Sequence, residues 1–503
     1  MIATTKSQDE QSNELVVEPS ASHKWWAMLG IGMGVFIFGL DVNIVNLALP
    51  TLVRELHTSL ATVEWVVLSY VLMLTVLVLG AARLGDMWSK KWLFLGGLIV
   101  FTISSLLCGV APTVGFLIGF RVLQGFGAVF ISALGTAIIT EVFPEKERGR
   151  ALGIIVGIFT LGIALGPTIG GLLMGLGSWR LIFLVNVPIG LVASLIVTLV
   201  VPSSVSGKVK KGFDAGGALL MTLTLTCFAL GLTQVQREGF SSLTALIMLV
   251  IAAIGLGCFL VLESRLSEPM LDLRMFRSLK LSLSLLLSWM VYVVIAGVVF
   301  VIPFFLMLVK HYPPQQAGLL LAVTPVLSAL MAPLSGTLSD RFGSRIISLI
   351  GLVVMAIGCL AISTFNTELT WLGYIVRIVP YGLGMGMFIS PNNSFVMGAL
   401  PQEHRGIASG LLSLSRTLGL MTGIALMGTL FATLTITNTQ VQLNMDVTHA
   451  PVEALVFGMQ MSFRVVALIV ITSTFLAAFL WWLEQSKAET SEDMLGEQSS
   501  TEV

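Results

Sequence analysis

The sequence predicts an all-α integral membrane protein of fourteen spans: two pseudo-symmetric six-helix halves with two extra helices between them. Three observations carry that prediction. Only 11% of the residues are charged and 56% are hydrophobic, whereas a soluble domain carries about 25% charged residues. The apolar residues come in runs of roughly 18–25, long enough to cross a hydrocarbon core about 30 Å thick. The second half of the chain also repeats short motifs of the first at a near-constant offset.

Taken in order, the spans fall near 25–48, 62–84, 92–110, 113–140, 150–175, 181–201, 214–233, 243–262, 282–308, 315–338, 346–364, 370–398, 403–432 and 462–484. The first 24 residues are polar. A secretory leader begins its apolar core nearer the start, so they read as a tail, and the first span stays in the membrane. Residues 485–503, ending SEDMLGEQSSTEV, read as a second, disordered tail. The stretch TLTITNTQVQLNMDVTH, in the connection 433–461, is expected to form a small hairpin cap.

An even number of spans puts both tails on one side. The loops on that side hold sixteen positive residues: Arg83, Lys90, Lys91, Lys146, Arg148, Arg150, Lys208, Lys210, Lys211, Arg265, Arg274, Arg277, Lys280, Arg341, Arg345 and Arg405. The opposite loops hold four: Arg54, Arg180, Arg237 and Lys310. By the positive-inside rule both tails are cytoplasmic. Cys108, Cys227, Cys258 and Cys359 each sit in an apolar run with no CxxC pair, so they form neither a disulfide frame nor a metal site.

The repeats set the organisation. AxxLxDMWSKK around Asp86 echoes GTLSDRFGSR around Asp340, Arg121 with GFG echoes Arg377 with GLG, and RGRALG from Arg148 echoes RGIASG from Arg405. The offsets are 254, 256 and 257 residues, so they come from one duplication. Six spans need only about 190 residues, which leaves room for two more. The expected division is a tail 1–24, a six-helix half 25–201, a linker (SGKVKKGFD) with two extra helices in 202–265, a second half 266–484 and a tail 485–503. Parallel repeats with a site between them are secondary-transporter architecture.

The motifs resemble the major facilitator superfamily, specifically its fourteen-span drug:proton antiporter branch. FGLDVNIVNLALP (38–50) resembles the branch's first-helix motif, EWVVLSYVL (64–72) its second-helix pattern and LIGFRVLQGFGA (117–128) its fourth-helix motif. GIALGPTIGG (162–171) resembles the fifth-helix antiporter motif; SWRLIFLVNVPIG (178–190) and EPMLDLRMF (268–276) are also typical. In the first copy of the cytoplasmic loop motif the expected glycines are Ala82 and Ser89, while the second copy, Gly336, Asp340, Arg341, Gly343 and Arg345, is intact. The resemblance implies the major facilitator fold, with proton coupling at Asp41 and Arg121. It also implies gating loops at Asp86, Lys90, Lys91, Asp340, Arg341 and Arg345, and a leak-limiting helix at Gly162, Gly166, Pro167, Gly170 and Gly171.

The residues themselves suit that chemistry. An ionised carboxylate inside a span is costly, so Asp41 pairs with a cation or takes up a proton. Alternation between the two serves proton exchange, whereas a fixed pair with Arg121 is the bland alternative. Pro167 removes a backbone donor, and the glycines around it allow close helix approach. Asn43, Asn46, Tyr70, Gln124, Tyr292, Tyr381, Asn392 and Asn393 are polar or aromatic residues within spans, candidates for substrate contact or for bridging helices. Arg377 and Arg416 also lie within spans, with roles left open. Asp41 is the only acid placed deep in a span, with Glu64, Glu141, Asp214 and Glu403 near ends, which favours monocationic or neutral substrates.

The expected function is proton-driven export of amphipathic small molecules, drugs or metabolites, across the cell membrane, conferring antibiotic resistance. The protein acts in the bilayer as a monomer with no cofactor. An exporter dedicated to one metabolite or antibiotic, or a proton symporter on the same fold, are the alternatives. Balanced charge, 27 basic against 27 acidic residues, points away from nucleic acid. No GxxxxGK[ST] occurs, so ATP is not the energy source. The five histidines are scattered through tail and loops, which gives an enzyme neither a nucleophile–base set nor metal ligands.

Overall fold

Fifteen α-helices and one short π-helical turn, with no strand, make up the described residues of the structure, a computed structural model covering 21–202, 214–238, 242–266, 276, 278–398, 405–437 and 450–501. The first half comprises α1 (Ala21–Glu55), α2 (Leu60–Met87), α3 (Lys90–Gly109), α4 (Val114–Val142), α5 (Glu145–Gly175), α6 (Leu181–Leu184) and α7 (Asn186–Val200). The extra pair is α8 (Ala215–Glu238) and α9 (Leu243–Arg265). The second half comprises α10 (Leu279–Phe304), continued by the π turn Phe305–Val309, α11 (Pro314–Phe342), α12 (Ser344–Ile362), α13 (Trp371–Gly398), α14 (Arg405–Thr437) and α15 (Val452–Thr501). Fourteen of these segments are long and apolar enough to cross a membrane, with α6 and α7 together forming the sixth.

Local chemistry sets several ends. Thr113, Ser242 and Ser278 cap α4, α9 and α10 by accepting from Phe116, Ala245 and Leu281 backbone N–H groups, the usual use of a short hydroxyl side chain at a helix start. The sixth span breaks at Val185 because Pro188 cannot donate to, and crowds, the carbonyl four residues back at Leu184. Gly343 takes φ +86° in the one-residue link between α11 and α12, a region closed to most side chains.

Within the first half α1 packs on α5 and α7, α2 on α4, and α3 on α4; in the second, α10 packs on α14, and α13 on α11 and α12. The halves meet along two seams, α5 with α11 and α2 with α14, and α8 lies against both helices of the second seam. Trp65 donates to Thr233 (3.1 Å) and Thr429 to the Leu232 carbonyl (3.2 Å), so the extra pair is tied to one member of each half.

The α5–α11 seam is built from main-chain contact on the side opposite the tails. A Cβ on Gly171 would meet the Pro314 carbonyl oxygen, one on Gly175 the Gln315 side chain, and one on Gly318 the Pro167 carbonyl oxygen. Eighteen residues, five turns at 3.6 residues per turn, carry the same faces toward the tail side, to Gly153, Gly157 and Gly336. There a Cβ on Gly153 or Gly157 meets nothing within 4 Å, and one on Gly336 only Ser390 Oγ of its own half at 3.8 Å. The two helices therefore touch at one end and separate at the other, and the cleft between the halves opens to the tail side.

Two expectations change. The disordered C-terminal tail is replaced by helix: α15 runs unbroken from Val452 to Thr501, because QSKAETSEDML supplies Glu, Lys, Ala, Gln and Met, good helix formers with no proline to stop them. The connection 433–461 shortens, since α14 reaches Thr437 and α15 begins at Val452. The expected hairpin falls largely on 438–449, outside the described residues, as do most of the SGKVKKGFD linker, nearly all of EPMLDLRMF and the first 20 residues.

Candidate functional site

α1, α4 and the break of the sixth span converge on one buried polar cluster. Asp41 and Arg121 are 0% and 1% exposed and form an ion pair of 2.6 Å between Oδ2 and Nη1. Arg121 also donates from Nε to the Val66 carbonyl (2.8 Å) and from Nη1 to Gln124 Oε1 (2.8 Å), with the Tyr70 ring centroid 4.0 Å from the guanidinium. Gln124, one turn on from Arg121, donates from Nε2 to Asp41 Oδ1 (3.1 Å) and Ser105 Oγ (2.7 Å). Asn186 donates from Nδ2 to Asp41 Oδ1 (3.4 Å) and Ser105 Oγ (3.5 Å), and Cys108 Sγ donates to Gln124 Oε1 (3.7 Å). A buried ion pair is tolerated only when its remaining donors and acceptors are met in this way.

The other candidates scatter. Asn43 bridges α1 to α5 by donating to the Ile163 carbonyl (3.4 Å), and Asn46 donates within α1 to Val42 (3.2 Å). Tyr381 is fully buried with its backbone against Gly358 of α12, and Asn392 donates to the Ser284 carbonyl of α10 (3.5 Å), so both pack the second half internally. Tyr292 and Asn393 are half-buried. Gly162, Gly166 and Gly170 lie against α1 at Phe36–Leu40, Asn43 and Ile44, while Pro167 and Gly171 meet α11. The fifth-helix motif thus has two working faces, one within its half and one across the seam.

Among the loop residues, Lys90 pairs with Glu141 (2.5 Å) and Lys91 donates to the Thr198 carbonyl (2.9 Å), both within the first half. Arg345 donates to Ser284 Oγ (3.0 Å) and stacks 3.6 Å from the Phe395 ring centroid, within the second half. Arg341 is exposed, and Asp86 and Asp340 lie near the tail-side ends of α2 and α11. Arg377 does not reproduce Arg121: it reaches the Thr364 carbonyl just past the end of α12 (3.3 Å).

The model of the family described as Major Facilitator Superfamily matches residues 31–424 and, in a second alignment, 284–500. The chain belongs to the major facilitator superfamily. It is a multi-pass membrane transporter of small molecules. Multidrug resistance protein Stp of Mycobacterium tuberculosis (strain CDC 1551 / Oshkosh) is 33% identical over 406 residues, 80% of this chain and 75% of that protein. Riboflavin transporter RibZ of Clostridioides difficile (strain 630) is 31% identical over 81% of this chain and 88% of that one. The tetracenomycin C resistance and export protein of Streptomyces glaucescens is 31% identical over 85% and 80%. Among solved structures, a bacterial homologue of the human lysosomal transporter Spinster, inward-facing and occupied, aligns with a TM-score of 0.67 at 16% identity, covering 92% of this chain and 97% of that one.

Within this major facilitator fold, three features escaped the sequence. Asn186, Ser105 and Cys108 complete the Asp41 cluster. Asp41 is not the only buried acid: Glu64, near the start of α2 as expected, is 1% exposed and lies against Gly428 of α14, across the second seam. Arg416 faces Phe159 of the opposite half, with the ring centroid 5.6 Å from its guanidinium. The signal available for Asn186 was Pro188, two residues later, which announces the helix break that frees it.

Proposed function

We propose that this protein is a proton-coupled exporter of amphipathic small molecules, drugs among them. It acts as a monomer in the cell membrane with both tails cytoplasmic. The observation that carries the reading is the Asp41–Arg121 pair, buried at 0% and 1% exposure and embedded in a cluster fed by α1, α3, α4 and α7. The multidrug resistance and antibiotic export proteins among its relatives support the substrate class. The positive excess of the tail-side loops supports the orientation, so the open cleft faces the cytoplasm.

Proton arrival at Asp41 neutralises the carboxylate and releases its hold on Arg121. Arg121 stays solvated by the Val66 carbonyl, Gln124 Oε1 and the Tyr70 ring, so the pair separates without stranding a bare cation. Proton loss restores the pair. Residues 25–201 and 266–484 rock as two bodies about this site, with Lys90, Lys91, Arg341 and Arg345 closing the cytoplasmic end in the alternate state. Each pH unit of gradient supplies about 1.4 kcal/mol per proton.

The test is dye efflux energised by a proton gradient in everted vesicles, comparing wild type with Asp41→Asn. Transport by wild type, with retained binding but at least about tenfold slower pumping in the variant, supports coupling through Asp41. Equal pumping by both makes the pair structural. A second reading, an exporter dedicated to one metabolite or antibiotic, is favoured by the riboflavin and tetracenomycin C relatives. It takes over if wild type moves no dye yet moves one such compound.

A further inference from the structure

Arg416 is a membrane-embedded cation that no acid among the described residues matches. It lies in α14 inside the span Gly410–Ile436 and is half-buried. Among the described residues its one hydrogen bond runs 3.4 Å from Nη2 to Ser413 Oγ on its own helix, and it takes part in no ion pair. Its guanidinium points across the gap between the halves toward Phe159 of α5. Phe159 stacks on Phe38 of α1, with centroids 5.3 Å apart and planes inclined by 15°. Tyr292 of α10 completes the surroundings: it packs against Gly419, one turn on from Arg416, and lies within electrostatic reach of that charge.

A cation at this depth is costly unless it is paired or solvated, and by default it marks a function. Snorkelling to the surface does not account for it, because the side chain is directed over an aromatic ring of the other half. Of the buried acids, Asp41 is already engaged by Arg121 at 2.6 Å, and Glu64 lies against Gly428, twelve residues along α14 from Arg416. With no acid among the described residues paired to it, Arg416 is free to take a partner from outside the protein, and the cleft that admits one opens to the tail side. A guanidinium presents a planar fork that matches a carboxylate in two parallel hydrogen bonds, and aromatic walls favour offset stacking with a flat ring system.

We infer that Arg416 is the recognition site for an acidic group, a carboxylate above all, on a planar aromatic substrate whose rings lie against Phe159 and Tyr292. The inference rests on the exporter reading and adds aromatic acids to the monocationic and neutral compounds expected from the sequence. It also changes the energetics. One anion leaving as one proton enters moves two charge equivalents across the membrane, so such substrates are driven by voltage as well as by pH.

The experiment uses three probes with one ring system and different charge: 2-naphthoate, 2-naphthalenemethanol and 2-naphthylmethylammonium. Binding to the purified full chain in phosphatidylcholine nanodiscs is measured by calorimetry, with empty discs subtracted, for wild type, Arg416→Gln and Arg416→Lys. The expected result is that wild type binds the acid about tenfold more tightly than the alcohol. Arg416→Gln loses that preference while its affinity for the alcohol stays within about twofold, and Arg416→Lys keeps part of it. Alcohol binding is the internal check that each variant is folded.

Equal binding of acid and alcohol by wild type overturns the site, as does a parallel loss of all three probes in Arg416→Gln. Uptake of 2-naphthoate into everted vesicles separates the two readings. Charge-selective binding with no movement defeats export and leaves the site standing. Movement with the same charge preference in Arg416→Gln defeats the site and leaves export standing.

Discussion

The two halves of this duplicated chain hold their intramembrane arginines in opposite ways. Arg121 is enclosed, with an acid, a backbone carbonyl, an amide oxygen and an aromatic face all directed at it. Arg416 has one hydroxyl on its own helix and an aromatic ring from the other half. Arg377, the sequence counterpart of Arg121, keeps its place in the second turn of its helix but reaches only the Thr364 carbonyl just past the end of α12. Duplication therefore preserved the scaffold but not the charge network. The first half keeps a self-contained ionic cluster, while the second keeps a cation with no acid paired to it among the described residues, an asymmetry that suits the proposed division between coupling and recognition.

That contrast can be broken most directly at Arg121. Arg121→Ala strands Asp41 without a cation in a fully buried site, and the expected loss is about 3–5 kcal/mol, read as a fall in thermal unfolding temperature in detergent. Adding Asp41→Asn should restore much of it. If Arg121→Ala were as mild as a change at Arg416, the enclosed and open arginines would not differ as described.

Next in size is Gly171→Val, whose side chain would meet the Pro314 carbonyl; overpacking of this kind costs about 1–3 kcal/mol. Spin labels on Leu176→Cys and Leu319→Cys should report longer distances across the seam. Gly153→Val, five turns away on the open stretch of the same face, should leave the distribution unchanged. Gln124→Leu should cost a similar or smaller amount, about 1–3 kcal/mol, by leaving Ser105 and Asp41 short of a donor. Smallest of all, Arg416→Gln should shift stability by less than about 0.5 kcal/mol while altering which probes bind. A stability loss approaching that of Arg121→Ala would show Arg416 to be structural.

The sequence carried what is local. Spans were legible because hydropathy is a property of consecutive residues, and Asp41 and Arg121 were legible because a charge inside an apolar run is conspicuous. Asn186, Ser105 and Cys108 were not, because small neutral polar residues are common in membrane helices and only packing decides where they point. For the same reason Tyr381 and Asn392, plausible pocket residues in the sequence, became packing within the second half. The burial of Glu64 was not legible, because a place near a span end does not reveal contact with the other half. Arg377 was misleading for another reason: a preserved motif does not preserve its neighbours. The C-terminal helix was missed because polarity was taken for disorder, although helix propensity in QSKAETSEDML pointed the other way.

The α5–α11 seam has a consequence of its own. Gly171, Gly318 and the carbonyls of Pro167 and Pro314 close it with main-chain atoms. Backbone dipoles in direct van der Waals contact carry no net charge, so dissolved ions have nothing there to screen and acid has nothing to protonate. On the side opposite the tails, this closure should hold equally well in brine and in fresh water, its strength set by fit and by one uncharged hydrogen bond from Thr168 to the Gly318 carbonyl.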